Sequence, residues 1–181
     1  MHPYPAHLVQ RLPLKNGTMV TVRPIRPEDA GIEQAFVRKL SNESRYNRFM
    51  DSLRELSPQM LSHFTRVDYD RHLALIAVAG HDDGEIQVAV ARYVVNDDRQ
   101  RGEFAIAVAD EWQRMGLGTL LMQALMAAAR ATGMRAMFGD VLASNHKMLR
   151  LMARMGFSVK VSEQDTRVMR VEINLQEMLP T

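Results

Sequence analysis

Cysteine is absent from this 181-residue chain, and its absence removes disulfides, thiolate metal sites and a thiol nucleophile together. Long apolar runs are missing as well. The first sixteen residues hold Pro3, Pro5 and Pro13 and no hydrophobic stretch, so neither a signal peptide nor a membrane-spanning helix is expected, and the chain reads as soluble and cytoplasmic. No large excess of one charge is present. With 23 basic and 21 acidic residues the net charge is +2, too small a surplus to point to nucleic acid or a membrane surface as partner. The six histidines lack ligand spacing: His63, His72, His81 and His146 fall in different predicted elements, so no metal is expected. Repeats, low-complexity tracts and linkers are also lacking.

What is present is ordinary globular composition, 46% apolar and 24% charged, at a length that suits one domain over residues 1–181. Residues 1–17 read as a proline-containing N-terminal extension. The 14 methionines fall largely at helical spacing among Leu and Ala, which suits core filler. Met19–Pro24 alternates apolar and polar residues as a half-buried strand does, and Pro24 and Pro27 end it. Asp29 is placed to cap a helix running to about Lys39, and a short helix follows around Glu43–Met50. Ser57-Pro58 starts a third helix, a capping hydroxyl before a proline at the first helical position.

Three strands are predicted next, at Leu73–Ala79, Ile86–Val94 and Glu103–Val108. Their connections, His81-Asp82-Asp83-Gly84 and Asn96-Asp97-Asp98, carry hairpin residues, so the three should form an antiparallel meander. After it the pattern becomes strand, helix, strand, helix, strand, which requires a crossover connection and a helix-covered face. A largely apolar helix is expected over Gly118–Thr132. Another spans Asn145–Met155, with Met148, Leu151, Met152 and Met155 opposite Lys147, Arg150 and Arg154, and Gly156 stops it. The stretches Phe157–Ser162 and Arg167–Asn174 read as a closing hairpin. The fold class is therefore α/β (α+β), a mixed, mostly antiparallel sheet of about six or seven strands with helices on both faces.

The chemistry concentrates at Glu103–Thr119, EFAIAVADEWQRMGLGT, a strand joined to a helix by a glycine-bearing turn. Unpaired N–H groups at a helix start, together with the helix dipole, favour a phosphate there; Arg114 adds a cation, and Gly116 and Gly118 permit close approach. Two ordinary turn glycines are the simpler reading of the short pattern alone. A dinucleotide fingerprint and a P-loop are both excluded by spacing. Ala105, Ala107 and Ala109 alternate with Phe104, Ile106 and Val108, giving one thin strand face that suits either an adjacent cofactor or a packed helix. Asn145 reads as a helix N-cap.

Gln113-Arg114-Met115-Gly116-Leu117-Gly118 resembles the Q/R-x-x-G-x-G/A pyrophosphate motif of the GNAT acyltransferases. The resemblance runs from about Tyr4 to Asn174. Arg23-Pro24-Ile25-Arg26-Pro27-Glu28-Asp29, Tyr46-Asn47-Arg48-Phe49, Thr65-Arg66-Val67-Asp68-Tyr69-Asp70 and Ala91-Arg92-Tyr93 are similar to the catalytic domain of bacterial Pat-type protein lysine acetyltransferases. It implies a GNAT fold, acetyl-CoA as co-substrate, and contacts to it from Ile106, Ala107, Val108, Gln113, Arg114, Met115, Gly116, Leu117, Gly118, Thr119 and Asn145. Glu103 matches the family's glutamate and would be the general base, since a lysine ammonium must lose a proton before it attacks a thioester. A strand N–H near Val108 would stabilise the oxyanion. The acceptor implied is a protein lysine; a small-molecule amine, or a silent acyl-CoA sensor, are the alternatives. Met152 stands seven residues after Asn145 where many relatives place an acidic tyrosine, and a thioether donates no proton.

Overall fold

The computed structural model describes residues 2–80 and 84–177. Its strands are β1 (Gln10–Pro13), β2 (Met19–Pro24), β3 (His72–Ala79), β4 (Ile86–Val95), β5 (Arg101–Val108), β6 (Ala136–Leu142), β7 (Ser158–Val161) and β8 (Val168–Asn174); its helices are α1 (Ala30–Lys39), α2 (Asn42–Phe49), α3 (Pro58–Thr65), α4 (Leu117–Ala131) and α5 (His146–Arg154). One eight-stranded sheet runs in the order β1-β2-β3-β4-β5-β6-β8-β7. Every neighbouring pair is antiparallel except β5 and β6.

Eight strands exceed the six or seven expected because Gln10–Pro13, inside the presumed N-terminal extension, pairs with β2 at the sheet edge. Three of its four residues are exposed, so no apolar alternation betrays it in the sequence. The meander β3–β4–β5 forms as expected; His81, Asp82 and Asp83 of its first turn lie outside the described residues. In the second turn Asp98 accepts the Gln100 N–H at 2.8 Å and Asn96 donates to the Arg101 carbonyl at 2.8 Å. The closing hairpin β7–β8 is also present.

Side-chain alternation sorts the core to the two faces of the sheet. On one face α4 contributes Leu121, Met122, Leu125 and Ala129 against Ala89, Ala91, Tyr93, Phe104 and Met137. On the other, Phe36, Val37 and Leu40 meet Ala74, Ile76, Val78, Val90 and Ala107. Ser57 caps α3 by accepting the Met60 N–H at 3.2 Å, with Pro58 in the first turn, and Gly156 ends α5 with φ +88°.

Asp29 behaves differently from expectation. Its carboxylate makes no cap bond to α1; it receives two hydrogen bonds from the buried Arg23 guanidinium, both 2.7 Å, and one from the Arg26 N–H, also 2.7 Å. Arg23 additionally donates to Glu85 at 2.7 Å. A second buried pair, Glu33 with Arg92 at 3.2 Å, sits on the same side of the sheet, with Gln87 also donating to Glu33. Such pairs hold chain positions strongly, because removing one partner strands a charge away from water.

Burial by itself would raise the Asp29 carboxyl, but the hydrogen bonds from Arg23 and Arg26 and the charges of both outweigh it and hold it below its ordinary 3.8. A depressed folded pKa means the stabilisation is present above that ordinary value and is lost as pH falls through the folded one. Asp29→Asn should therefore lower stability by about 1–3 kcal/mol at neutral pH. Urea unfolding should show the gap to the parent protein narrowing in acid.

Candidate active site

The site originates in an interrupted pairing. β5 and β6 run parallel for three register positions, Arg101↔Ala136 to Glu103↔Phe138, and pair no further. Each strand then follows its own antiparallel partner: β5 stays with β4 to Val108, and β6 stays with β8 to Leu142. Gly139 occupies the point of divergence, where a Cβ would lie 3.0 Å from both the carbonyl oxygen and a ring carbon of Phe104. Beyond it opens a cleft of about 470 Å³ between Phe104–Val108 on one wall and Asp140 and Val141 on the other.

Backbone phase determines what the β5 wall offers. Ala109 donates to Val88 and Asn96 donates to Arg101, so the odd-numbered residues of this strand face β4. Alternation then turns the N–H and C=O groups of Ile106 and Val108 toward the cleft, where β6 no longer meets them. Gln113 bridges back, its side-chain amide donating to the Val108 carbonyl at 3.2 Å.

At the outer end the chain turns through Arg114 (φ +66°) and Gly116 (φ +85°) into α4. The helix ladder begins with Leu120 donating to the Gly116 carbonyl, which leaves the amides of Leu117, Gly118 and Thr119 without helical acceptors. A Cβ on Gly118 would touch Leu151 at 3.3 Å and Val108 at 3.8 Å, so glycine lets α4, α5 and β5 converge. Lys15 donates its N–H to the Met115 carbonyl at 3.2 Å and lays its side chain 3.3 Å from where a Gly116 Cβ would be.

Of the residues singled out from the sequence, Ile106, Ala107, Val108, Gln113, Arg114, Gly116, Gly118, Thr119 and Asn145 border this one cleft. Met115 packs against the core, with its sulfur accepting from the Asn16 amide at 3.1 Å, and Leu117 is buried in the core, so neither side chain borders the cleft. Asn145 caps α5, accepting the Met148 N–H at 3.2 Å, while it also borders the cleft. Glu103 is exposed, on the same strand face as Ala105 and Ala107, and lies beyond the inner end of the cleft rather than in its lining. Met152 is fully buried among core residues.

Several lining residues stood outside the predicted cofactor contacts. Lys15 arrives from the loop after β1, and Lys147, Arg150 and Arg154 of α5 border the cleft with it and with Arg114. Five cations around one opening favour an anionic ligand. Ser44, Asn47 and Arg48 arrive from α2. That helix is moored to the loop after β5: Asp110 accepts the Ser41 N–H at 2.9 Å and the hydroxyls of Ser41 and Ser44 at 2.8 and 2.7 Å. Burial would raise the Asp110 carboxyl, yet those donors hold it below its usual range. The His63 and His72 rings lie 5.3 Å apart; burial, then the charges of Arg92 and His63, push His72 down to about 4. Among the described residues, no three His, Cys, Asp or Glu side chains form a metal-type cluster.

The family model described as Acetyltransferase (GNAT) family matches residues 35–157. An acetyltransferase of Pseudomonas aeruginosa is 35% identical over 145 residues, covering 80% of this chain and 77% of that protein. The acetyltransferase Pat of Mycolicibacterium smegmatis is 30% identical over 163 residues, 90% of this chain but 47% of that one, so the present chain spans about half of its length. Among solved structures, the GNAT domain of the S. lividans Pat protein superposes with a TM-score of 0.88 at 29% identity, covering 95% of this chain and 99% of that one. A Salmonella typhimurium protein solved with its cofactor acetyl-CoA shares the fold, with a TM-score of 0.67 at 17% identity over 90% of this chain and 97% of that one. The interrupted β5–β6 pairing, the amide-lined bend before α4 and these matches agree, and the chain belongs to the GNAT acetyltransferase family.

Proposed function

We propose that the protein transfers the acetyl group of acetyl-CoA to the side chain of a protein lysine by direct attack, with Glu103 as general base. The observation that carries this reading is the open edge of β5, which runs from the amide-lined bend at Gln113–Thr119 toward the strand face that bears Glu103. The free amides of the bend and the surrounding cations would hold the pyrophosphate. Ile106 and Val108 would pair with the amides of the pantetheine arm as an added strand does, and this directs the thioester along β5 past Ala107 and Ala105. A backbone N–H near Val108 would meet the developing oxyanion.

Glu103 takes the proton of the incoming ammonium directly or through one water. The amine nitrogen then bonds to the acyl carbon, the C–S bond breaks, and CoA departs as thiolate. Met152 is buried and has no proton to give, so solvent protonates this leaving group.

Similarity to two Pat proteins supports a protein acceptor, and so does the shape of the surface. Beside Glu103, Phe138 and Asp140 of β6 and Arg170 and Glu172 of β8 stand on the same sheet face, and all four are partly or fully exposed. An exposed sheet face of this kind suits a polypeptide segment better than a small amine, which is favoured by an enclosing pocket.

Glu103→Gln should lower kcat by about 10²–10⁴-fold while CoA affinity, read by calorimetry, stays within about twofold. An undiminished rate would remove Glu103 from the chemistry, and an absence of transfer in the parent protein would favour a sensor. Gly116→Val forces a branched side chain into φ +85° against Lys15 and should weaken CoA binding by at least about tenfold, or ~1.4 kcal/mol. Labelled acetyl-CoA added to a cell lysate should mark protein rather than the small-molecule fraction.

A further inference from the structure

We propose that Arg48 is a specificity-determining residue whose guanidinium receives a carboxylate that a substrate carries into the inner end of the cleft. The inference rests on the acyl-transfer reading above and deepens it by naming a chemical group that the site selects.

Arg48 lies on α2 and borders the cleft together with Ala105 and Ala107. Its guanidinium rests on two rings, 4.7 Å from the centroid of Phe49 and 5.7 Å from that of Phe64. Among the described residues, no carboxylate lies within ion-pair distance of it and no acceptor takes a hydrogen bond from it. This sets it apart from the buried Arg23 and Arg92 and from the half-buried Arg101 and Arg170. Arg23 is paired with Asp29 and Glu85, Arg92 with Glu33, Arg101 with Glu172 and Arg170 with Asp140.

The neighbouring groups are already engaged. Glu33 serves Arg92, whose guanidinium stacks 4.3 Å from the Phe64 centroid. The Ser44 hydroxyl is committed to Asp110, and the same hydroxyl accepts from Gln113 at 3.5 Å. Asn47 and Glu43 border the cleft without bonding to Arg48. Burial, then repulsion from Arg92, pushes the Arg48 guanidinium down to about 10 against the opposing pull of Glu33 and Glu103, so it stays charged at neutral pH.

A half-buried cation with five N–H donors and, among the described residues, no carboxylate or hydrogen-bond acceptor of its own is poised for an anion that arrives with the substrate. The planar fork matches a carboxylate in two parallel hydrogen bonds. Phosphate has its own cradle at the other end of the cleft. The side chains of Ala105 and Ala107 are thin, which leaves room beside β5 for an acyl group longer than acetyl or for a side chain of the acceptor. The carboxylate therefore comes either from the far end of a short dicarboxylic acyl thioester or from an acidic residue next to the acceptor lysine. Transfer itself is unchanged in either case: the N–C bond forms, the C–S bond breaks, the amine proton passes to Glu103 and the thiolate departs.

The test compares the parent protein with Arg48→Met, which keeps an apolar contact with Phe49, and with Arg48→Lys, which keeps charge but loses the fork. Calorimetry reads the ratio of Kd values for succinyl-CoA and acetyl-CoA. Initial rates read the ratio of kcat/KM for two peptides that differ only in Glu or Gln beside the lysine. Arg48→Met should shift one of these ratios by at least about tenfold against the carboxylate, with Arg48→Lys intermediate, and the ratio that moves names the source. If neither ratio moves by more than about twofold in a variant that melts cooperatively, or if both members of each pair weaken equally, the assignment is overturned. Should Arg48→Met not fold, the same ratios in Arg48→Lys decide the question. Absence of any CoA binding by the parent protein would instead remove the acyl-transfer reading on which the inference rests.

Discussion

A parallel strand pair that is allowed to form for only three positions governs this molecule. Two parallel strands joined by a crossover helix ordinarily zip along their whole length, since each unpaired buried amide is costly. Here β5 is held by β4 and β6 by β8, each over seven positions, and those antiparallel ladders carry the two strands away from each other. The divergence exposes a backbone edge inside the fold. That edge has free amides and carbonyls that a ligand with amides of its own could pair with.

Charge is distributed to suit this arrangement. Where the scaffold must be held, arginines are buried against carboxylates, as in Arg23–Asp29 and Arg92–Glu33. Where the cleft opens, Lys15, Arg114, Lys147, Arg150 and Arg154 border it from three different segments and create a positive mouth. At the inner end the sign becomes mixed, with Glu103 on the strand face and Arg48 on α2. The division follows from desolvation: charges far from water need protein partners, whereas charges at a cleft can wait for a ligand.

Much of the architecture was legible because its causes are local. Ser57-Pro58 announced α3, Gly156 ended α5, and three closely spaced strands with Asn and Asp between them described a meander. The bend at Gln113–Gly118 was legible for the same reason, since Gly116 adopts the left-handed conformation that its residue type allows. Asp29 was misread in its role, because the choice between capping α1 and binding Arg23 depends on where β2 lies. Strand β1 was invisible, being an exposed edge whose only structural reason is the partner beside it. Ala107 satisfied both readings of its small size, packing in the core beneath α1 while bordering the cleft, whereas Ala105 borders the cleft alone.

The sequence by itself determined the elements, the turn chemistry and the amide-rich helix start, because dihedral preference and side-chain periodicity act within a few residues of the chain. Only the tertiary structure decided that β5 and β6 part after Glu103 and Phe138, that Lys15 closes over Gly116, that Met152 faces the core and that Arg48 reaches the cleft with no counter-ion among the described residues. Those outcomes depend on which strand competes for which edge and on which side chains meet across long separations. Neither quantity is written in any local stretch of residues.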